Sequence, residues 1–167
     1  MAENSTKILS LDVGDFCRLF SYRAGTPFQA VLYLLLIARL SPAEASSLQW
    51  RDVDIERSIV HTSSGEKKLP SSVVRYLRQF RFEQLERYFL RNQLQAFSYV
   101  CTQPDDLPYS EDSLLQAFSH YLTLCGHPGL SLETVQKSFP EYLYEHDMVS
   151  HVVDMYVENT RIRNPIE

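Results

Sequence analysis

The sequence predicts a mainly helical α+β domain carrying one small three-stranded antiparallel sheet early in the chain. Three observations carry this. Apolar residues recur at helical spacing through most of the chain. Short β-rich runs between turn residues are confined to about residues 53–70. Serine, proline and glycine stand where helices should start and stop. The 167 residues suit one domain, residues 1–167, with its own core, and 44% of them are hydrophobic.

Asp12 to Arg23 reads as a first helix with Phe16, Leu19 and Phe20 on one face. Gly25-Thr26-Pro27 breaks it, and a second helix runs to about Arg39. Ser41-Pro42-Ala43-Glu44 reads as a helix start: Ser41 caps, Pro42 fits the first helical position, and Glu44 reaches back. This short helix carries Leu48 and Trp50 toward the core. Three β segments follow, Val53–Ile55, Ser58–Thr62 and Lys67–Pro70, with Ser63-Ser64-Gly65-Glu66 as the second turn.

Ser71 or Ser72 is expected to cap a long helix to about Leu94. Its apolar positions are Val73, Val74, Leu77, Phe80, Leu85, Phe89 and Leu90, and its other face carries Arg75, Arg78, Arg81, Arg87 and Arg91. Tyr99-Val100-Cys101 is a candidate edge strand, and Gln103–Tyr109 a loop. Ser110 caps a helix to Cys125 that Gly126 ends. Ser131 starts another to about Glu145. A last helix, about Met148 to Glu158, precedes a polar tail ending in Asn164-Pro165.

Composition narrows the function classes. The most apolar run, Phe28–Ala38, is too short for a membrane helix and contains Gln29, so it reads as a core helix. The start of the chain lacks the charged-then-apolar pattern of a signal peptide. Cys17, Cys101 and Cys125 are odd in number and widely spaced. They read as reduced thiols of a cytoplasmic protein, with no CxxC, metal site or cofactor expected. Residues 1–100 hold 13 Lys/Arg and 10 Asp/Glu, whereas residues 101–159 hold one Lys/Arg and 10 Asp/Glu. A nucleic-acid grip needs clustered cations, and the second half does not supply them.

The segment Leu34 to Asp54 carries a resemblance. An apolar helix, then Leu40-Ser41-Pro42-Ala43-Glu44, then Leu48-Gln49-Trp50-Arg51-Asp52-Val53-Asp54 resembles the phage-integrase signature. That signature is an apolar helix, Gly-Leu-Arg-x-Ser-Glu, then Leu-x-Trp-x-Asp-(Ile/Val)-Asp. The hairpin ending in Leu69-Pro70, the Leu107-Pro108-Tyr109-Ser110 loop and the His127–Leu132 stretch are similar to later parts of the family pattern. The chain thus resembles the catalytic domain of the tyrosine recombinases over about residues 9–160. It starts directly at that domain, so the family's helical core-binding domain is absent from the reading.

The resemblance implies DNA cleavage by a tyrosine nucleophile, with two arginines, a lysine and two histidines around the phosphate. A phosphoryl transition state gathers negative charge, so fixed cationic donors are needed. Position by position, the first arginine falls at Ser41 and the hairpin lysine near Thr62. The histidine and arginine of the second box fall at Glu133 and Gln136, and the third-box histidine near Asn159. The nucleophile falls just past residue 167. The expectation is a degenerate, non-catalytic protein. Tyr156 is the residue that an alternative register would make the nucleophile.

Two classes of function stay open, ranked ahead of a third, an active site-specific recombinase using Tyr156. One is a non-catalytic regulatory or DNA-associated factor derived from a mobile-element integrase, with Lys67, Lys68, Arg75, Arg78 and Arg81 as candidate DNA contacts. The other is a protein-interaction module that keeps the fold as a scaffold, motivated by the acidic second half. A homodimer is compatible with either. Lys67 and Lys68 also read as solvated strand-end charges, and the arginine row as an exposed face. His146 and His151, five apart, do not share a helix face as metal ligands would.

Overall fold

The computed structural model describes residues 11–23, 26–91 and 98–163, with side chains described as far as Val157. Gly25, Leu94, Asn164 and Pro165 lie outside the described residues, as does the side chain of Asn159. The chain order is α1 (Val13–Tyr22), α2 (Phe28–Leu32) running on as a π-helical turn (Tyr33–Ile37), α3 (Pro42–Ser47), β1 (Val53–Asp54), β2 (Ile59–Thr62), β3 (Gly65–Lys68), α4 (Ser71–Leu90), α5 (Glu111–Leu124), α6 (Leu132–Gln136), α7 (Glu141–Glu145) and α8 (Met148–Arg163). The predicted class holds: the fold is mostly helical with one antiparallel sheet of order β1-β2-β3.

The apolar run forms the centre. Every residue from Gln29 to Ile37 is buried. Leu34, Leu35 and Leu36 have no exposed surface, which suits a helix that is apolar all round. Phe16, Leu19 and Phe20 of α1 pack on it, and the Tyr33 ring stacks on Tyr76 of α4 with centroids 4.3 Å apart. Trp50 is buried, 6.0 Å from the Phe80 ring. The run ends in a tight stop. Arg39 adopts a left-handed backbone (φ 57°), and the Leu40 amide turns back to the Leu34 carbonyl at 3.0 Å.

Several expected boundaries move, each for a local reason. β3 begins at Gly65, so the turn is tighter than the four residues expected, and Gly65 supplies its positive φ. Neither Ser71 nor Ser72 caps α4. Pro70 occupies the cap position, and the Asp147 carboxylate accepts the Ser71 amide at 3.1 Å instead. The helix ends at Leu90, and its outer half is turned over. Gln84 and Tyr88 take the inner face while Leu85, Phe89 and Leu90 lie exposed beside Phe82. The expected edge strand at Tyr99 is a single bridge to Gln49. Pro140 splits the helix expected from Ser131 to Glu145, because it lacks an amide and disfavours helical backbone at Phe139. The last helix extends to Arg163.

Candidate functional site

Three positions drawn from the resemblance, Ser41, Thr62 and Gln136, come together at one end of the central run, and α3 builds the first part. Ser41 caps α3, its hydroxyl accepting the Glu44 amide at 3.1 Å. The Glu44 carboxylate in turn accepts the Ser41 amide at 3.0 Å, which closes a capping box. The same carboxylate is 7% exposed and faces the β2–β3 hairpin. It accepts the Ser64 hydroxyl at 2.7 Å and the Lys67 ammonium at 2.9 Å. Thr62 sits at the hairpin tip, donating to the Gly65 carbonyl at 2.9 Å.

Burial works to raise the Glu44 pKa. The hydrogen bonds from Ser64, the Ser41 backbone, Lys67 and Thr62 outweigh it and hold the carboxyl well below its ordinary range.

Gln136, on α6, joins from the other side. Its amide donates to the Leu35 carbonyl at 2.9 Å and to the Leu40 carbonyl at 3.1 Å. Leu40 precedes Ser41, so Ser41 and Gln136 are separated by one peptide unit and a hydrogen bond. Glu133, one turn earlier on α6, points to solvent and pairs with Lys137 at 2.8 Å. The hydrogen bond and then the charge of Lys137 lower its pKa.

Arg39 lies beside the cluster. Its guanidinium donates to both Glu141 oxygens at 2.9 Å and covers the Tyr144 ring at 4.3 Å. Tyr156 lies on α8, half-buried against the core.

Ser41, Thr62, Lys67 and Gln136 are therefore brought together, with Glu133 at the margin. The charged side chains in and around this set are paired: Lys67 with Glu44, Arg39 with Glu141 and Lys137 with Glu133. The arrangement holds backbone and hairpin in place.

The candidate DNA contacts lie on β3, which holds Lys67 and Lys68, and on α4, which holds Arg75, Arg78 and Arg81. Lys68 and Arg78 are exposed. Arg75 pairs with Asp154 at 2.9 Å and Arg81 lies over the Trp50 ring at 5.8 Å. Among the described residues no group of three or more His, Cys, Asp or Glu could hold a metal ion. No described helix is long and apolar enough to cross a membrane.

Sequence reasoning placed Glu44 in its capping box but not in contact with Lys67. It missed Arg39 and Glu141 altogether. A signal for Arg39 existed: the glycine of the integrase signature falls there, and a glycine at a helix end marks positive φ.

No protein-family model matches the chain, and no curated protein does either. Solved structures do. The crystal structure of XerA recombinase superposes with a TM-score of 0.64 at 12% identity, covering 99% of this chain and 66% of that one. The fold resembles the matched part of that recombinase. At this identity the likeness concerns the fold, and the chain spans about two thirds of the recombinase it matches. The predicted class, a recombinase-like helical domain with a three-stranded sheet, stands on both the element order and this superposition.

Proposed function

We propose that the chain is a non-catalytic protein of tyrosine-recombinase-like fold, a regulatory or DNA-associated factor derived from a mobile-element integrase. One observation carries this reading. The four positions that meet at the end of the central run are Ser41, Thr62, Lys67 and Gln136. Gln136 is committed to the two carbonyls of Leu35 and Leu40, and Lys67 to Glu44. Removing one charge-stabilising donor typically slows such chemistry about 100- to 1000-fold. Here a serine and a glutamine stand in the two arginine positions at once.

The test uses nicked duplex DNA that would trap a covalent intermediate. The expected result is no protein–DNA adduct on a denaturing gel. An adduct that disappears in Tyr156→Phe would overturn the reading. DNA association is checked by mobility shift at low salt, expected to weaken with added salt and in the triple variant Arg75→Ala, Arg78→Ala, Arg81→Ala. Absence of any shift at low salt would remove DNA from the proposal.

A second reading, a protein-interaction module, is favoured by the outer half of α4. Phe82, Leu85 and Phe89 follow helical spacing on one face and are 65%, 44% and 66% exposed. A contiguous apolar stripe of that kind commonly marks a contact with another protein. Phe82→Ser and Phe89→Ser would then abolish a captured partner while leaving the fold's stability unchanged.

A further inference from the structure

A cleft of about 750 Å³ opens between the start of α2, the end of α4, the 102–109 turn and α5. It shares no residue with the Ser41–Gln136 cluster. Its walls bring Phe28, Tyr109 and Tyr121 together with Arg23, Arg87 and His120, and among the described residues no Asp or Glu lines it. The chain as a whole has a net charge of −5, so this lining is sorted toward positive charge.

We propose that this cleft binds a small organic anion with an aromatic or apolar body, of the carboxylate, sulfonate or phosphate-ester class. The size fits, since small-molecule sites commonly span roughly 300–1,000 Å³. The apolar wall is rigid. The Tyr121 hydroxyl donates to the Leu19 carbonyl, and its ring lies 5.0 Å from that of Phe28. A flat ligand meets the half-buried Phe28 ring there, with the buried Tyr121 behind it.

The cationic wall is also held in place. Asp106 lies 3.4 Å from Arg87 and 3.4 Å from Arg91, and accepts the Tyr88 hydroxyl at 3.0 Å. Two guanidiniums share this carboxylate, and the exposed Asp105 on the same turn acts on Tyr109. Arg23 stands at the opposite end, close enough for its charge to lower the pKa of both Tyr121 and Cys125 against the upward push of burial. An anion entering the cleft therefore meets Arg87 held in advance by Asp106, with the exposed Arg23 also in the lining.

The experiment is a fluorescence titration of the folded protein with anilinonaphthalene sulfonate, an aromatic anion, and with phenylnaphthylamine, its neutral counterpart. The sulfonate is expected to saturate a single site. Arg23→Gln should weaken it about tenfold or more, the scale of a lost charge-assisted hydrogen bond. Ala117→Trp, which fills the cleft from α5, should abolish it, and Gln116→Trp serves the same purpose if the first variant fails to fold. Phe82→Ser should leave the titration unchanged, which separates the cleft from the exposed stripe on α4. Wild-type affinity in Arg23→Gln, or equal binding of the neutral probe, would overturn the anion assignment. Wild-type affinity in the folded tryptophan variant would overturn the cleft itself.

Discussion

The Lys67 ammonium sits 2.9 Å from the Glu44 carboxylate, joining the β2–β3 hairpin to the first turn of α3. The pair is asymmetric: the Glu44 side chain is 7% exposed and that of Lys67 is 38% exposed. Most of the desolvation therefore falls on the acid, and the Ser41 amide and Ser64 hydroxyl offset it. Glu44→Gln should cost about 2 kcal/mol in denaturant unfolding, since it removes a charge from a largely buried, fully bonded site. A change within experimental error would show that the hairpin does not depend on the pair.

The same residue fixes a pH dependence. The Glu44 pKa is lower in the folded chain than its ordinary value of 4.5. Its contribution is therefore complete above that value and is lost as pH falls below it. The stability gap between wild type and Glu44→Gln should be constant near neutrality and close progressively in acid. A gap that widened in acid would contradict the sign.

Asp147 provides a second test, because it caps a helix from far along the chain. Burial acts to raise its pKa. The Ser150 and Ser71 hydrogen bonds and the charge of His151 prevail and lower it. Asp147→Ala should lose about 1 kcal/mol, the usual value of a side-chain cap, and slightly more for the left-handed backbone at φ 59°. Asp147→Asn keeps an acceptor and tolerates that backbone, so it should retain most of the stability. Equal losses in both variants would refute the cap as the cause.

Gln136→Ala should cost about 1–3 kcal/mol, since it leaves the Leu35 and Leu40 carbonyls short of a donor at the end of the central run. Thermal unfolding of this variant against Glu133→Ala makes the comparison. Glu133 is a solvated partner of Lys137, and its loss should be near neutral. The reverse order would contradict the roles assigned to α6.

The cysteines should differ sharply in reactivity. Burial pushes Cys101 up to about 12 and Cys17 up to about 11. Cys125 is half-buried, and burial raises it less because Tyr121 and Arg23 act the other way. An aromatic disulfide reagent at mild alkaline pH should modify Cys125 first, with the other two reacting only on unfolding. Mass mapping that found Cys101 modified early would contradict this.

What the sequence made legible was local chemistry. The caps at Ser41, Ser110 and Ser131 could be read because cap and first turn lie within four residues. Pro140 carried a readable break that helical periodicity masked. Contacts across the fold left no such trace. Asp147 meets Ser71 across 76 positions and Lys67 meets Glu44 across 23, and neither separation has a pattern. Periodicity also located the apolar residues of α4 without telling which half had a partner. In the outer half, Tyr88 has an aromatic body to bury and a hydroxyl that reaches Asp106, so it took the inner face instead.

The Asp147 cap has a consequence for how the molecule is made. During synthesis α4 leaves the ribosome long before the residue that completes its first turn. Until Asp147 arrives, with Ser150 of α8 behind it to accept the buried Ser72 hydroxyl at 2.8 Å, the Ser71 amide has only water. The nascent chain thus keeps a frayed seam in its middle that the last helix closes. Truncations removing Asp147 together with α8 should leave α4 open to proteases at residues 70–74, well away from the cut.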